Sequence, residues 1–268
     1  MGSMRGTLPI RTRWVVALVV LGGLSLSGCS GMSKAQREKG AQAHYKLGIA
    51  YLNETPPQTQ LAFVEFQKAI EENPKDRDSN YGLGHIYFTQ GKFEEARDAF
   101  KKAIQADPNF SEAHNYLGTV YERLNDRDKA VAEYRKALEN PQYMTPQYPH
   151  RNLAMVYLNT NEYKDAIKEF KEALSLPPPP DDPLFNALVY NGLGQAYYKD
   201  GQYQAAVDAF NGALKIAPDY TEVHYFLGQA YFKTGSNPLA REEFQHVIRL
   251  APDSELAKKA KQSLELIR

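Results

Sequence analysis

The chain has 268 residues, of which 43% are hydrophobic and 24% are charged, a balance typical of folded globular proteins rather than disordered ones. Lysine and arginine together number 32, as do aspartate and glutamate, so the formal net charge is zero and the basic excess of a nucleic-acid-binding protein is missing. The single cysteine excludes an intramolecular disulfide and a zinc site built from several cysteines.

The first 28 residues have the order of a secretory signal peptide. Three arginines precede an apolar run at residues 14–26, and this run is shorter than the ~20 apolar residues that a membrane-spanning helix needs. The run ends in Leu26-Ser27-Gly28-Cys29, which resembles the lipobox of bacterial lipoproteins. The resemblance implies removal of residues 1–28, acylation of Cys29 with fatty acids such as palmitate, and a lipidated tether over residues 29–40. An ordinary cleavage site followed by a free thiol is the alternative.

The residue after the cysteine bears on the destination of the protein. Lipoproteins with Asp at this position are typically held in the inner membrane, whereas this chain has Ser30. The resemblance therefore implies an anchor on the periplasmic face of the outer membrane. Several acyl chains are needed for such an anchor, because a single chain binds a bilayer only marginally.

Residues 41–252 repeat one pattern six times, over about 41–76, 77–110, 111–144, 147–180, 187–220 and 221–252. Each unit has a small residue after a leucine, a tyrosine three residues later, and further on an aromatic residue between two alanines, except that Val247 replaces the second alanine in the last unit. The first small residues are Gly48, Gly84, Gly118, Ala154, Gly194 and Gly228, and the aromatic residues are Phe66, Phe100, Tyr134, Phe170, Phe210 and Phe244. Prolines close the units because they cannot continue a helix.

This order resembles the tetratricopeptide repeat, a helix pair with a period of 34 residues. The resemblance implies an all-α fold, a right-handed α-solenoid of six helix pairs in which the small residues allow close helix contacts. Residues 253–268 carry apolar side chains on one helical face and charges on the other, which predicts a helix that caps the array.

Three segments interrupt the period, at residues 53–60, 140–149 and 176–183. The last contains four consecutive prolines, which predict a stiff extended spacer. Because irregular loops often carry function, the loop at residues 140–149 stays a possible contact surface beside the helices.

The sequence predicts a binding protein rather than an enzyme, without cofactor or metal. Four histidines fall at the fourth position of their units, where the repeat packs a side chain between helices, so a structural role is predicted for His44, His114, His150 and His224. The Gly82-x-Gly84 and Gly192-x-Gly194 pairs lack the third glycine and preceding strand of a dinucleotide site. Hydrolase, kinase and metalloprotease motifs are also missing from the sequence.

The first helix of each tetratricopeptide unit lines a concave face, at positions such as 5, 9 and 12 of the unit. The candidate partner-binding residues there are Tyr45, Ile49, Leu52, Tyr81, His85, Phe88, Met155, Leu158, Tyr198, Tyr225 and Phe232. This face is apolar at both ends and polar in the middle, where Asn115, Arg151 and Asn191 stand at position five. An extended or helical peptide with apolar anchors is the predicted ligand, although tyrosines at such positions also serve packing in ordinary repeats.

A lipobox followed by six such repeats resembles the pilotin family of type IV pilus biogenesis lipoproteins, known as PilF, PilW and Tgl. A local resemblance covers Ala137-Leu138, Pro141, Tyr143 and Thr145-Pro146, although Met144 stands where the family typically has proline. The resemblance implies a monomer that binds the outer-membrane secretin of the type IV pilus and promotes its localisation and assembly. The alternative is a general periplasmic scaffold for barrel assembly or for cell-wall enzymes.

Overall fold

The computed structural model describes residues 32–267, which form thirteen α-helices and no strand. The helices are α1 (Lys34–Leu52), α2 (Thr59–Glu72), α3 (Arg77–Thr89), α4 (Phe93–Ala106), α5 (Ser111–Arg123), α6 (Arg127–Glu139), α7 (Gln147–Asn159), α8 (Tyr163–Ser175), α9 (Phe185–Lys199), α10 (Tyr203–Ile216), α11 (Thr221–Lys233), α12 (Asn237–Leu250) and α13 (Glu255–Leu266). The predicted signal peptide and the lipidation site Cys29 lie outside the described residues.

The helices form six antiparallel pairs, α1 with α2 through to α11 with α12, and each pair packs on the next. The last helix, α13, packs on α12 and α11 and covers the end of the array. We call α1, α3, α5, α7, α9 and α11 the first helices and their partners the second helices. This arrangement confirms the predicted all-α repeat solenoid.

The stack curves towards its first helices. Successive first helices pack directly on one another from α5 to α11, whereas within residues 32–267 successive second helices do not pack closely. Because the first helices are the more crowded row, they form the inner, concave surface. We call this surface the groove.

The array begins earlier than the repeat pattern indicates. The Ser33 side chain accepts a hydrogen bond from the Gln36 backbone N–H, and the Gln36 side chain accepts one from the Ser33 N–H, which is a capping box. Helix α1 therefore starts at Lys34, so residues 34–40 of the predicted tether are helical and continue into the first repeat.

The turns inside five of the pairs share one backbone conformation. Gly91 has φ of 73° and Asn125 has φ of 59°, in the left-handed region that glycine and asparagine tolerate best. The corresponding residues in the later pairs are Asn161, Gly201 and Gly235. In the first pair a longer loop joins α1 to α2, as its two additional residues predict.

The core is built on contact between an aromatic ring of each second helix and a small residue of its first helix. A Cβ atom placed on Gly118 would lie 2.6 Å from Cε1 of Tyr134, and one on Gly84 would lie 2.6 Å from Cε1 of Phe100. The rings at this position are fully or almost fully buried in all six units. In the units that have glycine here, even a methyl group would displace the ring from its present place, whereas the fourth unit accommodates Ala154.

The four histidines at the fourth position bridge the two helices of their units. Their Nδ1 atoms hydrogen-bond carboxylates of the second helices, in the pairs His44–Glu65 (2.6 Å), His114–Glu133 (2.6 Å), His150–Glu169 (2.7 Å) and His224–Glu243 (2.6 Å). Their predicted structural role is confirmed, with a polar bridge in place of simple ring packing.

The geometry around His224 requires a doubly protonated ring. Its Nε2 donates to the carbonyl oxygen of Pro218 at 2.8 Å, while its Nδ1 faces the Glu243 carboxylate. Both partners are acceptors, so both ring nitrogens must carry protons. Burial opposes this charge, but the bonds to Glu243 and Pro218 outweigh it and raise the pKa of His224 above its ordinary value.

Gly118→Leu should destabilise the array strongly, because the new side chain must displace the buried Tyr134 ring. Overpacking of this kind costs about 1–3 kcal/mol or more in the free energy of unfolding. The matched control is Ala132→Leu, which adds the same side chain at an exposed position of α6. Thermal unfolding followed by circular dichroism should show a clear loss for Gly118→Leu alone, and equal midpoints for the two variants would contradict the packing described.

His224→Asn should destabilise the fold more at about pH 5.5 than at about pH 8. The folded-state pKa of His224 is raised above the unfolded value of about 6.5, so the charged pair stabilises fully below that value. This stabilisation is lost as the pH rises through the folded-state pKa. Asparagine suits the site because Asn80, at the fourth position of the second unit, bonds the Pro74 carbonyl in the same way.

The measurement is the free energy of unfolding in denaturant for the wild type, His224→Asn and Glu243→Gln at both pH values. Both variants should flatten the pH dependence by a similar amount, because either change removes the charged pair. A difference from the wild type that is the same at both pH values would contradict the imidazolium assignment.

Candidate partner-binding groove

A pocket of about 380 Å³ opens in the groove between α1 and α3. Five of the predicted partner-binding residues line it, namely Tyr45, Ile49, Leu52, Tyr81 and His85. The repeat pattern does not predict its other lining residues, Thr59, Asp78, Gly82, Ile86 and Thr89. We call this cavity the α1–α3 pocket. Its wall is mainly apolar, with Asp78 as its one carboxylate.

The pocket depends on Gly82, the sixth residue of the second unit. A Cβ there would lie 2.7 Å from Cε2 of Phe66, so the position admits no side chain. In the third unit the same register holds Tyr116, whose ring stacks on Phe100 with a centroid distance of 5.8 Å. A ring of that size fills the space between α3 and α5, whereas glycine leaves the space between α1 and α3 open.

An aromatic cluster formed by Tyr81, His85, Phe88, Phe110 and Tyr116 continues the apolar surface beyond the pocket. The Tyr81 ring lies 4.8 Å from His85 and 4.9 Å from Phe110, and His85 lies 3.9 Å from Tyr116. Phe88 packs on Tyr116 at 6.4 Å, so it belongs to this cluster rather than to the pocket wall. The repeat pattern does not predict that Tyr116 and Phe110 belong to this surface. For Phe110, the only indication in the sequence is that an aromatic residue stands directly before α5.

The cluster is electrically neutral near pH 7. Burial lowers the pKa of His85 to about 4, so its ring carries no charge there. Burial also raises the pKa of the Tyr81 hydroxyl above its ordinary value. Although it contains a histidine and tyrosines, the aromatic cluster therefore acts as an apolar wall with a few polar edges.

The middle of the groove is polar, and we call the set Asn115, Glu122, Arg151, Asn191 and Gln195 the polar centre. Asn115 accepts a hydrogen bond from Asn152 at 3.1 Å, and Asn191 donates to the Tyr220 hydroxyl at 3.2 Å. Glu122 accepts from the Tyr134 hydroxyl at 2.8 Å. Burial raises the pKa of Glu122, which disfavours its charged form.

The remaining predicted residues do not form a second open pocket of the kind found at α1–α3. Met155 and Leu158 are half-buried and pack against the core, and Tyr198 packs on Tyr203 at 5.4 Å. Tyr225 is only 9% exposed because its ring covers Phe244 at 5.8 Å. Tyr225 therefore offers little surface to a partner, whereas Phe232 is exposed.

The loop at residues 140–149 presents a different side chain from those that the sequence suggests. Tyr143 is buried, and burial raises its pKa to about 12. Its neighbour Met144 is 85% exposed. If this loop contacts a partner, Met144 is the side chain that it offers.

Among residues 32–267, His, Cys, Asp and Glu side chains form no group of three that could hold a metal ion. In the same part of the chain, no helix has both the length and the apolar character needed to cross a membrane.

Comparisons with solved structures place this fold beside known repeat proteins. PilW, described as a widely conserved type IV pilus biogenesis factor, is 20% identical, with a TM-score of 0.68 over 82% of this chain and 97% of PilW. PilF of Pseudomonas aeruginosa is 19% identical, with a TM-score of 0.71 over 85% of this chain and 99% of PilF. YrrB, a repeat protein with an unusual peptide-binding site, is 23% identical, with a TM-score of 0.61 over 74% of this chain and 97% of YrrB.

Among curated proteins, Superkiller protein 3 of Schizosaccharomyces pombe is 35% identical over 77 residues, and its Saccharomyces cerevisiae counterpart is 30% identical over 79 residues. The matches cover 29% and 30% of this chain but only 5% of either yeast protein. At that coverage they bear on a few repeats and on nothing else in those proteins.

Two sequence models of the tetratricopeptide repeat match the chain, one at residues 65–109, 81–149 and 151–221 and the other at residues 197–264. These matches span more than half of the chain and agree with its helix pairs. The protein therefore belongs to the tetratricopeptide-repeat family and has the scaffold fold of the PilF and PilW pilus biogenesis factors.

Proposed function

We propose that this protein is an outer-membrane lipoprotein that binds secretin subunits in its groove and promotes their assembly into the type IV pilus channel. The proposal rests chiefly on a lipobox at Cys29 placed before a repeat array that matches PilW and PilF over nearly their whole lengths. Identities of 20% and 19% support a shared fold only. The choice of partner is supported by the chemistry of the groove.

The α1–α3 pocket is the part of the groove best suited to hold an apolar side chain of the partner. Its volume of about 380 Å³ lies within the ~300–1,000 Å³ typical of ligand sites. The neutral aromatic cluster beside it offers further apolar contact without burying a charge. A partner segment would thus place one anchor in the pocket and pack its neighbouring residues against the cluster.

The lipid anchor would strengthen this contact by raising the local concentration of the groove at the membrane. A chain attached at Cys29 keeps the groove close to the inner leaflet of the outer membrane. Secretin subunits that arrive there meet the groove at a high effective concentration, so even a modest intrinsic affinity suffices for capture. Capture at the membrane then favours assembly of subunits over their loss to the periplasm.

Ile49→Lys should weaken secretin binding by about tenfold or more, because it puts a charge into the apolar pocket where an anchor is worth ~2 kcal/mol. This site is preferable to Tyr81, whose ring supports four others and whose loss would disturb the core. The matched control is Val64→Lys, which places the same charge on α2 at a side chain that is 38% exposed. The measurement is the affinity of the full-length protein for the secretin subunit.

A third variant, Met144→Lys, tests the loop at residues 140–149. Loss of binding in Met144→Lys with normal binding in Ile49→Lys would assign the contact to the loop and contradict the role of the pocket. Secretin multimers that persist after deletion of the gene would contradict the pilus role altogether and favour the general periplasmic scaffold.

Cys29→Ala should release the protein from the outer membrane while the repeats stay folded, because residue 29 precedes the first capping residue, Ser33. The expected result is a helical protein in the periplasmic fraction, or an unprocessed precursor. Cell fractionation with detection of the protein is the measurement. A mutant that still fractionates with the outer membrane would show that the lipid is not the anchor.

A further inference from the structure

The polar centre contains an arginine whose charge has no partner. Among residues 32–267, none of the ion pairs includes Arg151. Its Nε is buried without a hydrogen-bond acceptor, although the side chain as a whole is only half-buried. A guanidinium held in this way retains its positive charge and its capacity to donate hydrogen bonds.

Nearby acidic and phenolic groups feel this charge without neutralising it. Arg151 acts on Glu122 and Tyr134 so as to lower the pKa of each, against a larger opposite effect of burial. The Glu122 carboxylate accepts a hydrogen bond from the Tyr134 hydroxyl and forms no ion pair with Arg151. Asp181 and Asp182 lie close enough to Tyr148 to raise its pKa, yet neither forms an ion pair with Arg151.

An unpartnered acceptor occupies the matching place on the next first helix. Phe110 and Tyr220 each stand five residues before position five of their unit, and each contacts the position-five residue of the preceding unit, Tyr81 and Asn191 respectively. Asn186 holds the same register before position five of the fifth unit, although it lies inside α9 rather than before the helix as Phe110 and Tyr220 do. Its Oδ1 is buried and has no hydrogen-bond partner. A free acceptor and a free donor on adjoining helices are unusual, because buried polar groups are nearly always paired.

We propose that Arg151 binds the carboxylate of an acidic side chain in the partner segment that occupies the groove. A carboxylate accepts hydrogen bonds from the guanidinium in the short, charge-assisted geometry that the two planar groups share. This inference rests on the proposed function for the identity of the partner, but the carboxylate site itself can be tested without it.

The position of Arg151 in the groove favours a side-chain carboxylate of the partner over its C-terminal carboxylate. Arg151 lies in the fourth of six units, with the α1–α3 pocket on one side and the exposed Phe232 on the other. A segment that uses both ends of the groove passes over Arg151 rather than ending there. Neighbouring helices lie about 8–10 Å apart, so the acid should follow or precede the pocket anchor by about six to eight extended residues.

The first experiment follows the Nε–Hε resonances of the arginines by NMR in the ¹⁵N-labelled full-length protein during titration with sodium propionate. Arg151 is assigned by the signal lost in Arg151→Gln. We expect a saturable shift of the Arg151 signal with propionate and none with propionamide or with sodium chloride at the same ionic strength. Arg77 is the internal control, because its Nε already donates to Asp78 at 2.8 Å. No shift, or the same shift with propionamide, would overturn the carboxylate site.

The second experiment measures the affinity of Arg151→Gln for the secretin subunit, with Arg97→Gln on α4 as the control for the same loss of charge. We expect Arg151→Gln alone to weaken binding by about tenfold or more. Normal binding by Arg151→Gln would overturn the role of the site in partner recognition even if propionate binds.

Residues appended to the C-terminus of the secretin distinguish the source of the carboxylate. Binding that tolerates the extension supports a side-chain acid, whereas loss of binding would assign the site to a terminal carboxylate and overturn the proposal. If the wild-type protein binds no secretin, the proposed function fails, and the propionate titration still decides whether Arg151 is a carboxylate site.

Discussion

The structure depends on one contact, in which the aromatic ring of each second helix lies between two units. On one side the ring meets the small residue of its own first helix, as Tyr134 meets Gly118. On the other it meets the sixth residue of the next unit, as Phe100 meets Tyr116 and Phe210 meets Phe226. Because each ring is buried by two units at once, no unit can bury its own apolar surface alone, and the array must fold as a stack.

The same contact decides where the groove is open. Between α1 and α5, the residue at position six meets such a ring and helps to set how much space remains towards the inner surface. Gly82 lets Phe66 approach and leaves the α1–α3 pocket, whereas Tyr116 fills the corresponding space with a third ring. The candidate binding surface at α1–α3 is therefore a consequence of core packing rather than a feature added to a uniform scaffold.

The spacing of small and aromatic residues was sufficient to predict the repeat solenoid, because that spacing is itself the packing contact. The sequence also indicated which face each first-helix residue occupies, and the wall of the α1–α3 pocket matches five predicted residues. Periodicity does not indicate which side chains on that face are covered by a neighbouring helix or loop. For this reason it could not show that the Tyr225 ring packs on Phe244 or that Tyr143 is buried while Met144 is exposed. The start of α1 was missed because a cap formed by Ser33 and Gln36 follows local rules outside the repeat.

The third unit shows how the core and the groove are joined chemically. It alone has a tyrosine where the other five units have phenylalanine, and the Tyr134 hydroxyl reaches Thr119 at 3.1 Å and Glu122 at 2.8 Å. The buried ring thus carries a donor from the core to the inner surface, where it occupies the one carboxylate of the polar centre. Arg151 on the next first helix acts on the same carboxylate without forming an ion pair with it. A phenylalanine at position 134 would remove this donor from the half-buried Glu122, so a change inside the core would alter the hydrogen bonding of the polar centre on the inner surface.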